Sequence, residues 1–198
     1  MKIIQLGNDN LQETAETASL IIKNGGIVAA PFDTVYGFIA DPYNESAVAR
    51  LNEIKGRGDT KTIGLATFSI DKIEEIADID NEQTEFVRMR TPGKFTFILK
   101  DNRNNKISDF CKRGETVAVR IPDSLLILKI AENAGAFLAQ TSANKSGQQN
   151  CYSIEEITSQ FGGLDQFDLV VDGGVLSASP PSELWDLTGT VPKKIERI

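Results

Sequence analysis

The sequence predicts an α/β protein, a single-domain three-layer sandwich built around a twisted, mixed sheet of parallel and antiparallel strands. Apolar, strand-like runs alternate with helical patterns along the whole chain, which is typical of this class. Two of the strand-like runs, FTFILK and TVAVRIP, are expected to be antiparallel neighbours, so the sheet cannot be purely parallel. No repeat, low-complexity tract or linker-like segment interrupts the sequence, and we predict one domain over residues 1–198.

The first predicted helix follows Asn10, which has Glu13 three residues later, the spacing of a capping box. Apolar residues then recur on one helical face until the pair Gly25-Gly26 ends the helix. The apolar run IVAAP follows immediately and predicts a buried strand.

Later helices are predicted from similar signals. The N-cap residues are expected to be Asn44, Ser124 and Ser153, and Ser153 has Glu156 at capping-box spacing. Further helical segments are expected between residues 70 and 90. The predicted strands of this part are TIGLATF, FTFILK, TVAVRIP, AFLAQTSA, DLVVD, ELWDLTG and KKIERI.

The composition restricts the chemistry. The chain has no histidine, which excludes Ser-His, Cys-His and HExxH mechanisms. Cys111 and Cys151 are too few for a disulfide framework and are not spaced as a metal or redox motif, so both are predicted to be thiols. We expect no zinc, haem or flavin, and chemistry carried by Lys, Arg, Ser, Thr, Asp, Glu or backbone groups.

The charge balance and hydropathy bear on partners and location. A net charge of −7 argues against general binding to a nucleic-acid backbone, although it leaves room for a local basic pocket. No stretch approaches the roughly 20 apolar residues of a membrane span, and the first residues lack a signal-peptide pattern. We therefore expect a cytoplasmic protein with no membrane partner.

Nucleotide-binding motifs of the common kinds are missing, since there is neither GxxxxGK(S/T) nor GxGxxG after a strand. Four predicted strand ends are instead rich in hydroxyl, amide and glycine residues: PFDTVYG, PGKFT, QTSANKSG and PPSEL. Backbone N–H groups and hydroxyls at such positions can bind an anion. Each segment alone is a weak signal, because the same residues also favour turns.

Taken in order with LNEIKGR and VAVRIP, these segments resemble the YrdC-like family (YrdC/YciO/YwlC) from about Gly25 to the end of the chain. DTVYG, Lys-x-Arg and TSAN look like the threonylcarbamoyl-AMP synthase branch. The resemblance implies a YrdC-like fold and a nucleotidyl transfer in which L-threonine and bicarbonate form a carbamate that attacks ATP, with Mg²⁺. It also implies as partners tRNA, which receives the threonylcarbamoyl group, or the downstream tRNA-modifying transferase complex.

The resemblance also implies a set of site residues. Lys55 and Arg57 match the Lys-x-Arg pair that contacts ATP phosphates and are the expected catalytic residues. The expected ATP-binding residues are Lys55, Arg57, Lys61, Thr96, Ser142, Asn144, Ser182 and Arg197. The expected threonine-binding residues are Thr34, Arg120, Ser142 and Ser182, together with the position of Phe32. We predict that six of them converge on one concave, positive pocket: Lys55, Arg57, Arg120, Ser142, Asn144 and Ser182. Asp33, Thr34 and Tyr36 are expected to shape that pocket.

Four positions depart from the family pattern. Phe32 replaces a threonine that contacts the amino acid, Gly58 and Lys94 each replace a common proline, and Glu183 is expected to place a carboxylate near the phosphates. Three functions therefore remain open. They are a synthase with a reshaped amino-acid pocket, a paralogue that binds nucleotide or RNA (double-stranded RNA or tRNA) without synthase activity, and an enzyme that activates a different carbamate.

Overall fold

The computed structural model describes residues 2–56, 62–135 and 137–196. Its strands are β1 Lys2–Gln5, β2 Val28–Pro31, β3 Tyr36–Ala40, β4 Gly64–Ala66, β5 Ala77–Asp78, β6 Phe95–Asp101, β7 Lys112–Arg113, β8 Thr116–Arg120, β9 Leu138–Ser142, β10 Leu169–Asp172, β11 Glu183–Asp186 and β12 Lys193–Ile195. Its α-helices are α1 Leu11–Lys23, α2 Glu45–Lys55, α3 Ile70–Ile76, α4 Asn81–Arg88, α5 Leu125–Ala134 and α6 Ile154–Phe161, and a 3-10 turn spans Asp109–Cys111.

All of these strands belong to one mixed sheet with the order β1-β10-β2-β3-β9-β4-β8-β6-β11-β12, while β5 pairs with β6 and β7 with β8. The pairs β1–β10, β10–β2, β4–β8 and β6–β11 are parallel. Strands β6 and β8 are antiparallel neighbours, as predicted. The mixed α/β sheet expected from the sequence is therefore confirmed.

Helix caps follow the predicted residues in three cases out of four. The side chains of Asn44, Ser124 and Ser153 accept hydrogen bonds from backbone N–H groups three residues later. Ser153 lacks the reciprocal half of its box, because Glu156 accepts from the N–H of Tyr152.

The prediction for Asn10 was wrong. Its side chain makes no cap bond to α1 and instead accepts from the N–H of Gly7 and donates to the carbonyl of Gln5. A complete capping box, which we did not predict, opens α4 at Asp80 and Gln83. The side chain of Asn10 thus stabilises the turn that enters α1 rather than the first turn of the helix.

Helices cover both faces of the sheet and produce the predicted three layers. Helices α1 and α5 pack against one face, with Ala15, Ala18, Ile127 and Ile130 among the buried contacts. Helices α2, α3, α4 and α6 cover the other face, where stacked Phe38 and Phe167 form part of a larger core. Side chains alternate between the two faces along a strand. The residues next to these core residues in the strands therefore point toward the face that α1 and α5 cover.

A connection of ten residues, 173–182, joins β10 to β11, and we call it the strap. Six other strands lie between β10 and β11. The pairings along the sheet give β10 and β11 the same direction, so the strap leaves one end of the sheet and crosses a face to reach the other end. The strap contains no regular element or turn.

Candidate active site

A cavity of about 270 Å³ opens on the sheet face that α1 and α5 cover only in part. Its floor contains the small residues Gly37, Gly64 and Ala118. A Cβ added at Gly64 would lie 2.8 Å from Nε2 of Gln140, so the Gln140 carboxamide extends across this glycine. The cavity therefore exists because β3, β4 and β8, three of the four adjacent strands β3, β9, β4 and β8, carry almost no side chain there. The rest of its lining includes Phe32, Thr34, Tyr36, Thr62, Thr96, Arg120, Gln140, Ser142, Asn150, Pro181, Ser182 and Leu184.

Arg120 is the buried cation of this cavity. It forms an ion pair with Asp33, whose side chain is also buried: Nη2 lies 2.5 and 2.7 Å from the two carboxylate oxygens. Nη2 also lies 3.3 Å from the carbonyl of Gly93, whereas Nε is buried and has no hydrogen-bond partner among the described residues. Burial lowers the pKa of Arg120 below its ordinary value, and the Asp33 carboxylate opposes that effect. Arg120 thus carries a buried N–H group whose hydrogen-bonding capacity is unused among the described residues.

Lys55, at the last turn of α2, is only 3% exposed. Its Nζ donates to the carbonyl of Ser142 at 2.5 Å, to Oγ of Ser142 at 3.1 Å and to Oδ1 of Asn144 at 2.5 Å. Ser142 lines the cavity, while Lys55 and Asn144 lie directly behind it. The family resemblance implies that Lys55 contacts ATP phosphates, and the structure places its ammonium one contact away from the cavity, against Ser142 and Asn144.

Two hydroxyls meet on the opposite wall of the cavity. Oγ1 of Thr96 and Oγ of Ser182 are 2.8 Å apart, and both residues are buried. The side chain of Thr34 is buried as well and lines the same cavity.

The predicted residues Phe32, Thr34, Thr96, Arg120, Ser142 and Ser182 therefore come together as expected, with Lys55 and Asn144 in contact with Ser142. Predicted residues Arg57, Lys61 and Arg197 lie outside the described residues.

Phe32 forms an apolar wall beside Arg120. A Cβ at Gly37 would lie 2.6 Å from Cε2 of Phe32, so the ring packs directly on the glycine. The centroid of the same ring is 5.9 Å from Cζ of Arg120. Phe32 is buried and lines the cavity, so the position at which the family usually has a threonine is part of the site. Phe32 cannot supply the hydroxyl of that threonine.

The expectation for Glu183 was wrong. Its carboxylate accepts from Nζ of Lys194 at 2.7 Å and from Nε1 of Trp185 at 3.0 Å. Alternation along β11 places Ser182 and Leu184 in the cavity and Glu183 on the other face of the sheet. The hydrogen bond from Lys194 holds the pKa of Glu183 below its ordinary value. This carboxylate therefore does not oppose a bound phosphate.

Tyr36 holds the beginning of the strap at the edge of the cavity. Its hydroxyl accepts from the N–H of Gly173 at 2.9 Å and donates to the carbonyl of Gly174 at 2.8 Å. Burial raises the pKa of Tyr36 to about 12, so the phenol remains a donor at neutral pH. This is the role by which Tyr36 shapes the pocket.

Sequence reasoning missed Gln140, although it quoted the segment that contains it. Gln140 lies at the centre of the cavity floor, between the strands that carry Gly37 and Gly64. A long polar side chain directly after the apolar run AFLA was the available signal.

The donor set favours anion binding over metal binding. In the described ranges no three His, Cys, Asp or Glu side chains come together as they would around a metal ion. Cys111 and Cys151 are buried thiols, and burial raises their pKa to about 12 and about 11. None of the helices within the described residues has the length and apolar character needed to span a membrane. The site is thus a hydroxyl-lined pocket with cationic groups, suited to a small anionic ligand.

Known proteins resemble this chain in sequence and in fold. The family model for Sua5, YciO and YrdC proteins, described as telomere recombination, matches residues 20–197. A threonylcarbamoyl-AMP synthase of Klebsiella pneumoniae is 34% identical over 187 residues, which cover 92% of this chain and 96% of the relative. One from Escherichia coli is 32% identical with the same coverage.

Two solved structures share the fold. P. abyssi Sua5, solved in complex with L-threonine, superimposes with a TM-score of 0.86 at 28% identity and 98% coverage of this chain. This chain spans only 56% of that Sua5 chain. E. coli YciO gives a TM-score of 0.84 at 25% identity, with 98% of this chain and 93% of YciO covered. The chain belongs to the Sua5/YciO/YrdC family, and the resemblance found in the sequence is confirmed.

Proposed function

We propose that this protein is a threonylcarbamoyl-AMP synthase, a nucleotidyltransferase that uses L-threonine, bicarbonate and ATP. The threonine amine and bicarbonate form a carbamate with loss of water. A carbamate oxygen then attacks the α-phosphorus of ATP, the bond from that phosphorus to the bridging oxygen breaks, and pyrophosphate leaves. The product is L-threonylcarbamoyladenylate, the donor for N6-threonylcarbamoyladenosine in tRNA.

The observation that carries this proposal is the Arg120 site. A buried guanidinium whose Nε–H lacks a partner, beside a cavity of about 270 Å³, suits the carboxylate of an amino acid. Asp33 occupies only Nη2 and keeps the guanidinium in position without blocking Nε. The size of the cavity, at the lower end for ligand pockets, fits an amino acid rather than a whole nucleotide.

The nucleotide would then extend from this cavity along its hydroxyl-lined walls. Thr96 and Ser182 would contact it on one side, and Ser142 with Asn144 on the other. The buried ammonium of Lys55 lies behind Ser142 and would stabilise phosphate charge at close range. Arg57, Lys61 and Arg197 are proposed to bind ATP on the family resemblance alone.

Displacement at phosphorus depends mainly on positioning and charge neutralisation, so a site without histidine is suited to it. Mg²⁺ would arrive with the triphosphate and be held by phosphate oxygens and water, since the described side chains do not form a metal cluster. We place the reaction in the cytoplasm and propose tRNA, or the transferase that modifies it, as the downstream partner.

The direct test is to incubate the purified protein with ATP, bicarbonate and L-threonine. We expect threonylcarbamoyladenylate and pyrophosphate in equal amounts, measured by liquid chromatography with mass spectrometry and a coupled pyrophosphate assay. Omission of either threonine or bicarbonate should stop both products. ATP binding without threonine-dependent pyrophosphate release would contradict the proposal.

Phe32 favours a second candidate, a relative that binds nucleotide without making the adenylate, because it replaces a hydroxyl in the amino-acid site. The variant Phe32→Thr separates the two. If the parent is a synthase, Phe32 packs against the amino-acid side chain, and the variant should change KM for threonine by more than it changes kcat. If the parent is silent, the variant should gain threonine-dependent pyrophosphate release.

A matched control is Glu183→Thr, which removes a carboxylate from the opposite face of the sheet. It should leave kcat and KM within about twofold of the parent, because the lost ion pair with Lys194 is exposed and worth little. Thermal unfolding of Phe32→Thr must be measured alongside, since truncating a buried aromatic side chain costs about 3 kcal/mol. A silent parent together with a silent, folded variant would exclude threonine as the substrate.

A further inference from the structure

Lys94 lies beside the cavity, in the bend that ends one residue before β6. The N–H of Glu183 donates to its carbonyl at 2.9 Å, which continues the β6–β11 ladder by one residue. Thr96, two positions after Lys94, and Ser182, which precedes Glu183, both line the cavity. The residue before Lys94, Gly93, accepts from Arg120. The Lys94 side chain therefore starts at the rim of the site.

The ammonium of Lys94 is held by a neutral group. Nζ donates to Oγ of Ser179, at the middle of the strap, at 2.7 Å. No carboxylate in the described ranges comes within ion-pair distance of it.

The surroundings of the Lys94 ammonium differ from those of the other described cations of the site. The charge of Arg120 is balanced by Asp33, and Lys55 is buried against Ser142 and Asn144. Lys94 therefore brings an exposed positive charge, not balanced by a neighbouring acid, to the strap side of the cavity.

We infer that Lys94 is a nucleotide-binding residue, whose ammonium exchanges Ser179 for the polyphosphate of ATP or for pyrophosphate. In the exchange the ammonium gives up a hydrogen bond to an uncharged hydroxyl and gains an ion pair with a phosphate oxygen, so the exchange is favourable. Ser179 acts as a placeholder that holds the long side chain close to the rim before nucleotide binds. This inference rests on the proposed function for the identity of the ligand.

The test compares Lys94→Ala with Lys100→Ala by isothermal titration with ATP and with pyrophosphate, in the absence of threonine. Lys100 is exposed and lies on β6, the strand that begins one residue after Lys94, but outside the cavity. We expect Lys94→Ala to raise Kd for ATP about ten- to a hundredfold. Lys100→Ala should change it less than twofold.

The variant Ser179→Ala distinguishes phosphate binding by Lys94 from a purely structural role in which Lys94 only tethers the strap. That change breaks the same contact but leaves the ammonium in place. If Lys94 binds phosphate, Ser179→Ala should leave Kd for ATP unchanged or lower it. An equal loss of affinity in both variants, or no loss in Lys94→Ala, would overturn the inference.

These outcomes are distinct from failure of the proposed function. A parent that binds ATP through Lys94 but releases no threonine-dependent pyrophosphate would sink the synthase assignment and leave this inference standing. A parent that binds neither ATP nor pyrophosphate would overturn both.

Discussion

Replacing Arg120 by lysine is expected to lower kcat/KM for threonine about 100-fold. Lysine keeps a positive charge next to Asp33 but removes the planar guanidinium and the buried Nε–H that has no other partner. A hydrogen bond to a charged group is worth up to about 3 kcal/mol, and each 1.4 kcal/mol is a factor of about ten. Steady-state kinetics with varied threonine should show most of the loss in KM, with Kd for ATP unchanged.

Lysine is preferred to alanine because Asp33 would otherwise be left as a buried, unpaired charge, which destabilises proteins by about 3–5 kcal/mol. Arg50→Lys is the matched control, since Arg50 is tied to Asp168 and the carbonyl of Gln166, outside the cavity lining. It should leave the threonine kinetics unchanged. A normal KM for threonine in Arg120→Lys would mean that the amino-acid carboxylate binds elsewhere.

Replacing Lys55 by methionine is expected to lower kcat about 100- to 1,000-fold with little change in the threonine KM. Methionine nearly preserves the buried volume but removes the ammonium behind Ser142 that would offset charge developing on the phosphates. The variant also leaves oxygens of Ser142 and Asn144 without this donor. A loss of about 1–3 kcal/mol in the free energy of unfolding should accompany the loss of turnover.

Lys23→Met is the control for Lys55→Met, because Lys23 is exposed in the last turn of α1. Pre-steady-state measurement of pyrophosphate release separates chemistry from binding in both variants. If Lys55→Met folds as the parent does and retains its kcat, Lys55 serves only to position Ser142 and Asn144.

Much of the fold was predictable because it depends on local signals. Caps at Asn44, Ser124 and Ser153 use only the next turn of the helix, and the structure confirms them. Strand β3 was missed because its sequence, YGFIA, is buried on both faces and so has no alternating pattern. Strand β1 was missed because its pairing partner, β10, lies more than 160 residues away.

The sequence predicted which segments meet at the cavity but not the pairings between them. Segments at strand ends contain Thr34, Thr96 and Ser182, which line the cavity, since strand ends are where a sheet presents polar groups. The ion pair of Asp33 with Arg120 spans 87 residues and depends on the three-dimensional arrangement. The wrong prediction for Glu183 could have been avoided. Successive side chains of a strand point to opposite faces, so Glu183 and Ser182 cannot both face the cavity.

The strap has a minimum length but no maximum. Because the strap crosses a face of the sheet without any regular element or turn, an added residue would bulge harmlessly into solvent. The loss of two residues would instead pull β10 and β11 toward each other and bend the sheet more sharply beneath the cavity. Relatives should therefore differ here by gain rather than by loss, and the shortest length they share should scale with the number of strands the strap spans.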